Sequence, residues 1–600
     1  MSDEGYARLP GIEQVSRVAH SAINRLQEEA AQLSHTPAGR VIATILEDDD
    51  AEERVEHFRY QQDLERKLTV TLVIGLGFTV MGVPFGISLT LGILLICGGN
   101  VTLLYGWAVV SFFSTMVVLS LSEIILKYPS AGGVYHMSAI LLSDRHSRAS
   151  LWFTGWLLLI GNWTYAVLIM FAGSQFILSV LGMHNFDLAG NVFLTLLVYF
   201  IILALSGFII YKFSRHLERI NKACIYWTIY TVLAIDFMLM FYLRSHNSPK
   251  EILTAFDNSR SGWPDAMAFI VGLQAGSFTM SGYGMIFSLS DEVKNPEKNM
   301  PKGAVSAILM ATVVGFIFII PILTVLPSMD QLLDKNPNIM PIDLVFHIAT
   351  ESYIILTLLA ILLVGTVIFQ LIGALTTASR TVYALARDGA LPYKEKFVTV
   401  DSVEEYKMPK NALFLLMVVT AIVLLLSLVL TLAFSAFLGA LVMSLALANG
   451  IPIFISMLHG RKKVKGLGFR LRYFGWIVNF LAVLWVFALV GILCLPVVIR
   501  GLNAVNMNWA SLVVAAFVAV ALVGWLAYGK KGFVGPELDT DYINELEQYE
   551  LADELNSVEV DLASNFDDDA TMFNNDELDL GGTEGEVDDP LAKRQVIFTA

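Results

Sequence analysis

The sequence is poor in charged residues and in cysteine. Asp, Glu, Lys and Arg make up only 16% of the 600 residues, whereas soluble globular domains carry about 25%. Hydrophobic residues make up 56% of the chain and its mean hydropathy is +0.64, which excludes an ordinary soluble domain. The three cysteines, Cys97, Cys224 and Cys494, all lie inside apolar runs, so they do not form the framework of a disulfide-rich secreted protein.

The sequence also lacks the short motifs of common enzymes. It contains no GxxxxGKS/T phosphate-binding loop, no HExxH zinc motif and no CxxC cluster. We therefore predict that the chain is not an enzyme. We also predict no catalytic residues, no metal site, no cofactor and no nucleic-acid partner.

In place of these motifs the sequence has a series of apolar segments, each near the roughly 20 residues that cross a bilayer as a helix. Twelve segments lie at about 70–95, 101–125, 151–181, 191–211, 221–243, 265–288, 303–326, 352–380, 411–431, 433–458, 473–498 and 507–528. The ninth and tenth nearly touch. These segments predict an all-α polytopic membrane protein whose twelve transmembrane helices lie within a core at 68–530.

Polar tails flank this core, an N-terminal tail at 1–67 and a C-terminal tail at 531–600. From Pro536 onward, twenty acidic residues stand against Lys593 and Arg594, so the tail carries the acidity behind the net charge of −15. The rest of the chain is close to neutral, at about +3. A highly acidic segment cannot bury enough apolar surface to fold, so we predict a disordered C-terminal tail. We also predict that the tails bind trafficking machinery.

The basic residues of the loops predict the orientation in the membrane. Loops on one side carry twenty-two Lys and Arg, and loops on the other side carry five. Because cytoplasmic loops are enriched in Lys and Arg, the richer side is predicted to face the cytoplasm. Both tails then lie in the cytoplasm, which agrees with an even number of crossings.

Two of the apolar segments are interrupted by small and polar residues. The first contains IGLGFTVMGVPFG at 74–86, and the sixth contains SFTMSGYG at 277–284. They share a short similarity, GFTVMG beside SFTMSG, at matching positions if segments one to five and six to ten are inverted repeats. Interrupted helices at matching positions of two halves indicate a transporter's substrate site, because unwound backbone inside a membrane must line a cavity or be buried in protein. The alternative for either segment alone is close packing by small residues.

Longer stretches around these segments resemble a known family. They are IGLGF in the first segment, EIILKYPSAGGVYH (123–136), WFTGWLLLIGNWTYAVLIMFAGSQ (152–175), INKACIYWTIYTVLAIDFMLM (220–240), DEVKNPEKNMPKG (291–303) and SRTVYALARDGALPY (379–393). Together they resemble the amino acid–polyamine–organocation superfamily over about 55–530. Within it the chain is most similar to the fungal amino acid/choline permease branch, which includes GABA and choline permeases and Golgi permeases that excrete polyamines.

The resemblance implies a LeuT-like fold with two inverted repeats, at about 70–243 and 265–458, and two extra helices at about 473–528. Helices one and six would hold the substrate and helices three, eight and ten would enclose it. The implied binding residues are Gly75, Gly77, Phe78, Thr79 and Gly82 in helix one and Phe278, Thr279, Ser281, Gly282 and Tyr283 in helix six. Asn162, Trp163 and Gln370 are added because polar groups at those points could face the cavity. Trp163 could instead be a core residue, and Gln370 could instead bond a neighbouring helix.

Charged residues in or near the apolar segments are further candidates. Asp236 could bind a cation or relay a proton, since a charge at mid-membrane is costly, or it could lie solvated near the interface. Five residues at the predicted cytoplasmic helix ends could form a gate of opposite charges, or could be ordinary interfacial charge: Glu123, Asp291, Glu292, Arg380 and Arg387. Some superfamily members that work without ion coupling carry a lysine midway along helix five. The chain has CIYWTIYTV there, so the coupling ion stays open, with a proton expected.

These observations predict a secondary transporter for a small organic cation or amino acid in a lipid bilayer. The resemblance implies polyamines such as putrescine and spermidine as substrates, in the Golgi or another secretory membrane. An amino acid, GABA or choline is the alternative substrate, and the plasma membrane is the alternative location. A receptor that binds a nutrient without transporting it is the alternative of another class, suggested by the long acidic tail.

Overall fold

The architecture comes from a computed structural model that describes residues 68–535, apart from short segments at 128–131, 143, 186–187, 214–215, 243–246, 334–337, 400, 404–405, 430–433, 462–470, 472–473, 504–506 and 534. The predicted N-terminal tail at 1–67 lies outside the described residues. So does the predicted C-terminal tail, except for 531–533 and 535. The side chain of Asp291 is also outside.

Helices make up nearly all of the regular structure. In the first half they are α1 Val70–Met81, α2 Val83–Ile96, α3 Asn100–Lys127, α4 Val134–Ile140, α5 Asp144–His184, α6 Val192–Lys212, α7 Leu217–Phe241 and α8 Pro249–Thr254. In the second half they are α9 Asp265–Met280, a 3₁₀ helix Ser281–Glu292, α10 Pro296–Val325, α11 Met329–Leu333, α12 Pro341–Thr350, α13 Tyr353–Arg387, α14 Lys394–Phe397, α15 Lys410–Val429, α16 Phe434–Leu458, α17 Phe474–Leu493, α18 Ala510–Gly524, a π-helical turn Trp525–Gly529 and α19 Lys530–Gly532. One short antiparallel hairpin pairs β1 Asp401–Val403 with β2 Tyr406–Met408.

The prediction of an all-α polytopic membrane protein is confirmed. Within the described ranges, ten helices or helix pairs are long and apolar enough to cross a membrane, with α1 and α2 counted as one. In the predicted sixth segment the α-helix α9 has only 16 residues before the 3₁₀ helix begins. In the predicted ninth segment the apolar stretch of α15 covers 410–425, which is too short to count as a span. The total of twelve crossings stays a prediction.

The outer faces of these helices are apolar. Large hydrophobic side chains are exposed along α6, α7 and α17, among them Phe193, Phe237 and Phe480. Lipid tails can cover such faces, whereas water would not. The interior is also apolar for the most part, with Phe78, Tyr165 and Phe278 among its fully buried large side chains.

Helices α5 and α13 run antiparallel along each other through the centre of the bundle. The side chain of His184, at the end of α5, hydrogen-bonds Thr357 near the start of α13 at 3.0 Å. At the opposite end His136, on α4, hydrogen-bonds Asp388, just after α13, at 2.7 Å. We refer to the end with His136 and Asp388 as the Arg380 end, and to the end with His184 and Thr357 as the Ser179 end.

Candidate functional site

The first interrupted segment breaks at Gly82. Helix α1 ends at Met81, α2 begins at Val83, and Gly82 between them has φ +52°, a left-handed conformation that glycine adopts with little strain. In a continuous helix the Val80 carbonyl would accept the N–H of Pro84, but proline has none. The Tyr165 hydroxyl and the Gln370 side-chain amide donate to that carbonyl instead, the latter at 3.2 Å.

Gln370 is held tightly against the break. Its amide nitrogen also donates to the Tyr165 hydroxyl oxygen at 2.8 Å. A Cβ added at Gly82 would lie 2.2 Å from the Gln370 amide carbon, so a larger residue at 82 would displace the Gln370 side chain. The Gln370 Oε1 atom is buried and accepts no hydrogen bond from any residue the structure describes. The predicted bond from Gln370 to a neighbouring helix is therefore present, and one of its acceptor positions is left over.

The second interrupted segment changes from α-helix to 3₁₀ helix after Met280. The 3₁₀ helix continues for twelve residues, although runs beyond 3–4 residues are uncommon and often mark a functional hinge. The hydroxyls of Ser277 and Ser281 donate to carbonyls of their own segment, at Leu273 and Phe278, both at 2.7 Å. These small polar residues thus satisfy local backbone where the helix changes type.

The two interruptions meet in the core. A Cβ added at Gly282 would lie 2.7 Å from a Val80 methyl group and 3.3 Å from the Val80 carbonyl oxygen. A Cβ at Gly86 would lie 2.7 Å from the Thr279 side chain. The rings of Tyr165 and Phe278 stack with centroids 6.5 Å apart. The structure therefore brings Gly82, Phe278, Thr279, Gly282 and Gln370 to one place, and their role in binding substrate stays a prediction.

Next to this junction Ser277, Ser281 and Tyr283 line a small cavity, together with Ser114, Val442, Ala446, Trp485 and Leu489. About 10 Å³ of this cavity is open to the centre of a water molecule, which is enough space for about one water. The cavity lies between the 3₁₀ helix and helices α3, α16 and α17. In this conformation a substrate larger than water does not fit there.

The other predicted binding residues make different contacts. Cβ atoms added at Gly75 and Gly77 would lie 2.7 Å from Ile225 and 2.9 Å from Ala307, so both glycines permit close packing of α1 on α7 and α10. Asn162 donates to the Thr381 hydroxyl at 3.1 Å, toward the Arg380 end. Phe78 and Thr79 are buried in α1 just before the break, where the Phe78 carbonyl accepts the Gly82 N–H at 3.3 Å. Trp163, on α5, is half-buried against the core.

Asp236 is also separate from the junction. It lies on α7, 9% exposed, and neither carboxylate oxygen has a partner among the residues described. Thr231, five residues earlier, donates to the Leu362 carbonyl at 3.5 Å. Leu362 is eight residues before Gln370, about 12 Å along α13 at the usual helical rise. Asp236 therefore lies toward the Ser179 end, and both of its predicted roles stay open.

Two of the predicted gate residues pair with each other, and their role as a gate stays a prediction. The Arg380 guanidinium and the Glu292 carboxylate form an ion pair at 2.7 Å, with side chains only 2% and 3% exposed. The Glu292 backbone carbonyl accepts the N–H of Leu68 at 2.8 Å, so the chain entering α1 is bound to the end of the 3₁₀ helix. Arg387 lies over the Tyr383 ring and 3.8 Å from the Asp388 carboxylate, and Glu123 pairs with Arg461 at 2.6 Å.

A second buried contact at this end was missed from the sequence. The His136 ring and the Asp388 carboxylate lie 2.7 Å apart and are each about 1% exposed. Burial by itself would raise the pKa of Asp388, but His136 and Arg387 outweigh burial and hold that pKa below its usual value. Both residues stand in stretches that carry the family resemblance, YPSAGGVYH and ALARDGALPY. Nothing in the sequence relates one stretch to the other.

Tyr165 and Val80 are the other residues that sequence reasoning missed. Tyr165 lies three residues after Asn162, so the two share one face of α5, and that spacing could have identified it. The role of Val80 is carried by its backbone and depends on Pro84. Within the described ranges, no group of three or more His, Cys, Asp or Glu side chains lies close enough to hold a metal ion.

These features define a polytopic α-helical membrane protein in which two interrupted helices meet at the centre of the bundle. The chain belongs to the amino acid permease family, whose model matches residues 68–519. It is 36% identical to Polyamine transporter TPO5 of Saccharomyces cerevisiae over 506 residues, covering 83% of this chain and 81% of that protein. It is 29% identical to Amino-acid permease BAT1 of Arabidopsis thaliana over 81% of this chain and 96% of that one. The predicted membership of the amino acid–polyamine–organocation superfamily is thereby confirmed.

Proposed function

We propose that this protein is a secondary active transporter that moves polyamines across a membrane by alternating access, with protons as the coupling ion. The observation that carries the proposal is the unused acceptor at the junction, the buried Oε1 of Gln370 beside the Val80 carbonyl. The similarity to a yeast protein named as a polyamine transporter supports the same substrate class.

The chemistry of the junction suits a primary ammonium group. An ammonium has three N–H donors and no acceptor. Carbonyls at the C-terminal end of a helix carry partial negative charge, and the C-terminal end of α1 lies at this junction. The Tyr165 ring, stacked against Phe278, adds an aromatic face, which attracts cations by roughly 0.5–2 kcal/mol. One ammonium of a polyamine could therefore exchange for the bonds that Gln370 and Tyr165 now make.

The Arg380 end supplies a means of closing one side. The Arg380–Glu292 pair and the backbone bonds between 68 and 292–294 hold the start of α1 against the end of the 3₁₀ helix. We propose that both separate when this end opens, with Gly82 and the 3₁₀ helix as the points where backbone angles change. The excess of Lys and Arg in the loops supports a cytoplasmic position for this end and for both termini. A Golgi or other secretory membrane is the proposed location.

The test is transport by the purified protein in liposomes. Uptake of radiolabelled putrescine, spermidine, GABA and choline would be measured under an imposed pH gradient. Saturable polyamine flux that depends on the gradient, and that Asp236→Asn reduces, is the expected result. GABA or choline flux without polyamine flux would instead support an amino acid or choline permease, in line with the name of the plant relative.

A receptor would give a different result in the same preparation. It would show ligand-dependent thermal stabilisation with no flux of any of the four compounds. Removal of residues 536–600 separates the two functions further, because a transporter should keep its flux without this tail and a receptor should lose its signal. Loss of flux when the tail is removed, with ligand binding retained, would contradict transport by the helical core alone.

A further inference from the structure

Helix α12 covers the Ser179 end of the bundle and carries a buried acid. The helix lies between the spans α10 and α13, and it contacts α2, α7 and α13. Asp343, in its first turn, is 0% exposed. An acid in the first turn of a helix usually faces solvent and stabilises the free N–H groups there. Asp343 faces inward, toward α5, so helix capping does not explain its position.

Only one hydrogen bond from a described residue reaches the Asp343 carboxyl group. The Ser179 hydroxyl of α5 donates to Oδ2, and the Ser179 oxygen accepts the N–H of Met340 at 2.8 Å. The other oxygen, Oδ1, is buried with no partner in the described part of the chain. A carboxylate can accept about four hydrogen bonds, and a buried polar group left unpaired is costly. Neither the charged nor the neutral form of Asp343 is satisfied by the residues around it.

A cluster of two histidines and a tyrosine begins one helical turn from Asp343. His347 lies four residues on, one turn along α12, and its Nδ1 is buried without a hydrogen-bond partner among the described residues. Its ring packs on Tyr353 with centroids 4.3 Å apart, and His184 packs on the same tyrosine at 5.3 Å. Burial raises the pKa of Asp343 to about 8, so the group lies near the point of gaining or losing a proton at neutral pH.

We propose that Asp343, with Ser179 and His347, binds an organic ammonium group at the Ser179 end of the bundle. This inference deepens the proposed function, on which it rests, by adding a second position for an amine on the path of transport. Ser179 is fourteen residues beyond Tyr165 on α5, about 21 Å along the helix. The new position is therefore distinct from the junction at Gly82 and Gln370.

Binding at Asp343 couples the ammonium to a proton. The neutral carboxyl group releases its proton when the ammonium arrives, and the carboxylate that remains pairs with the new charge. The net charge of the site stays the same, one positive charge replacing another. Oδ1, which has no partner among the described residues, accepts one ammonium N–H. Release of the ammonium then takes a proton back from the medium.

The experiment measures putrescine binding to the full-length protein in lipid nanodiscs near pH 7. Calorimetry in two buffers with different ionisation enthalpies gives both the affinity and the protons released. Three proteins are compared: wild type, Asp343→Asn, and Asp330→Asn. Asp330 is the matched control, because it is an acid on the neighbouring helix α11 whose side chain is 85% exposed.

Wild type and Asp330→Asn are expected to release about one proton for each putrescine bound. Asp343→Asn should release none from this site and should bind at least about tenfold more weakly, equivalent to about 1.4 kcal/mol. Ser179→Ala keeps the carboxyl group and removes its one donor, so it should retain proton release with altered affinity. It serves as the second variant if Asp343→Asn does not fold. Equal affinity and equal proton release in Asp343→Asn and wild type would overturn the inference.

Flux measurements on the same proteins separate this inference from the proposed function. Putrescine binding with proton release that depends on Asp343, but with no flux, would reject transport and keep the site. Putrescine flux in the wild type with unchanged binding in Asp343→Asn would keep transport and reject the site. A wild-type protein that binds no putrescine, GABA or choline would reject both.

Discussion

The side-chain amide of Gln370 donates to the backbone carbonyl of Val80, 290 residues away in sequence, at 3.2 Å. The carbonyl is available because Pro84 has no N–H to offer it, so a residue of α13 completes the end of α1. The contact links the interrupted first helix to a helix that extends to the Arg380–Glu292 pair. A movement of α1 relative to α13 at Gly82 would therefore break or stretch this bond.

Replacing Gln370 with Leu removes the bond and the unused acceptor while keeping a similar volume. Tyr165 still donates to the Val80 carbonyl, so the protein should fold. We expect a loss of stability of about 1–3 kcal/mol and a rise of about tenfold in the KM for putrescine, measured by uptake into liposomes. The matched control is Gln274→Leu, which removes a buried glutamine that bonds the Ile492 and Leu495 carbonyls. It should lower stability similarly and leave KM unchanged; equal KM changes in both variants would contradict a substrate role for Gln370.

Gly82→Ala tests the left-handed break directly. A residue other than glycine costs roughly 1–2 kcal/mol in this conformation, and its Cβ would lie 2.2 Å from Gln370. We expect severe loss of folded protein in detergent, measured by size-exclusion chromatography, or loss of uptake in what remains. Gly92→Ala, ten residues along α2, is the control, because its Cβ would meet only Pro341 at 3.5 Å. That variant should behave as wild type or melt slightly higher, and a tolerated Gly82→Ala beside it would remove the packing argument.

The helices and their interruptions could be predicted from the sequence because both depend on local chemistry. Runs of apolar residues indicate spans, and Gly82 before Pro84 indicates where a helix must stop. The position of the break within 74–86 could not be predicted, because three other glycines in that range, at 75, 77 and 86, serve close packing. The sixth segment was similarly ambiguous, since its Ser and Thr residues bond their own helix as well as lying beside the first break.

The partners of individual side chains could not be predicted, because they depend on how distant helices pack. Arg380 and Glu292 were both candidates, but Glu123 was expected in the same gate and pairs with Arg461 instead. Asp343 was missed because it lies outside the long apolar segments, where acids are usually exposed. Its burial depends on α12 folding back over α5, which no local pattern reveals.

The buried ion pair Arg380–Glu292 should be essential as a pair. Arg380→Gln or Glu292→Gln alone leaves one charge buried without its partner, which typically costs 3–5 kcal/mol. The double neutralisation should cost less than the sum of the two, so a double-mutant cycle on thermal stability should give a coupling well above 1 kcal/mol. The exposed Arg260–Asp330 pair at 2.7 Å is the comparison, and its cycle should give below about 1 kcal/mol. Additive effects for Arg380 and Glu292 would mean that the two residues do not stabilise the folded protein as a pair.

The raised pKa of Asp343 predicts how stability depends on pH. Burial moves the pKa from 3.8 to about 8, so between these values the folded protein holds a proton that the unfolded chain releases. Stability from this group is therefore fully present below about pH 4, declines as the pH rises, and is lost above about pH 8.

The measurement is the Tm of the protein in nanodiscs between pH 6 and 9. His347 lies on the same helix and the protein has other ionisable groups, so the comparison is between variants. Asp343→Asn should lose fewer degrees than wild type, and Asp330→Asn should lose as many as wild type. Putrescine should reduce the wild-type decline, because an ammonium beside Asp343 stabilises its charged form. If wild type and Asp343→Asn decline in parallel, Asp343 is not the group that titrates, and its buried carboxyl group would have to be satisfied in some other way.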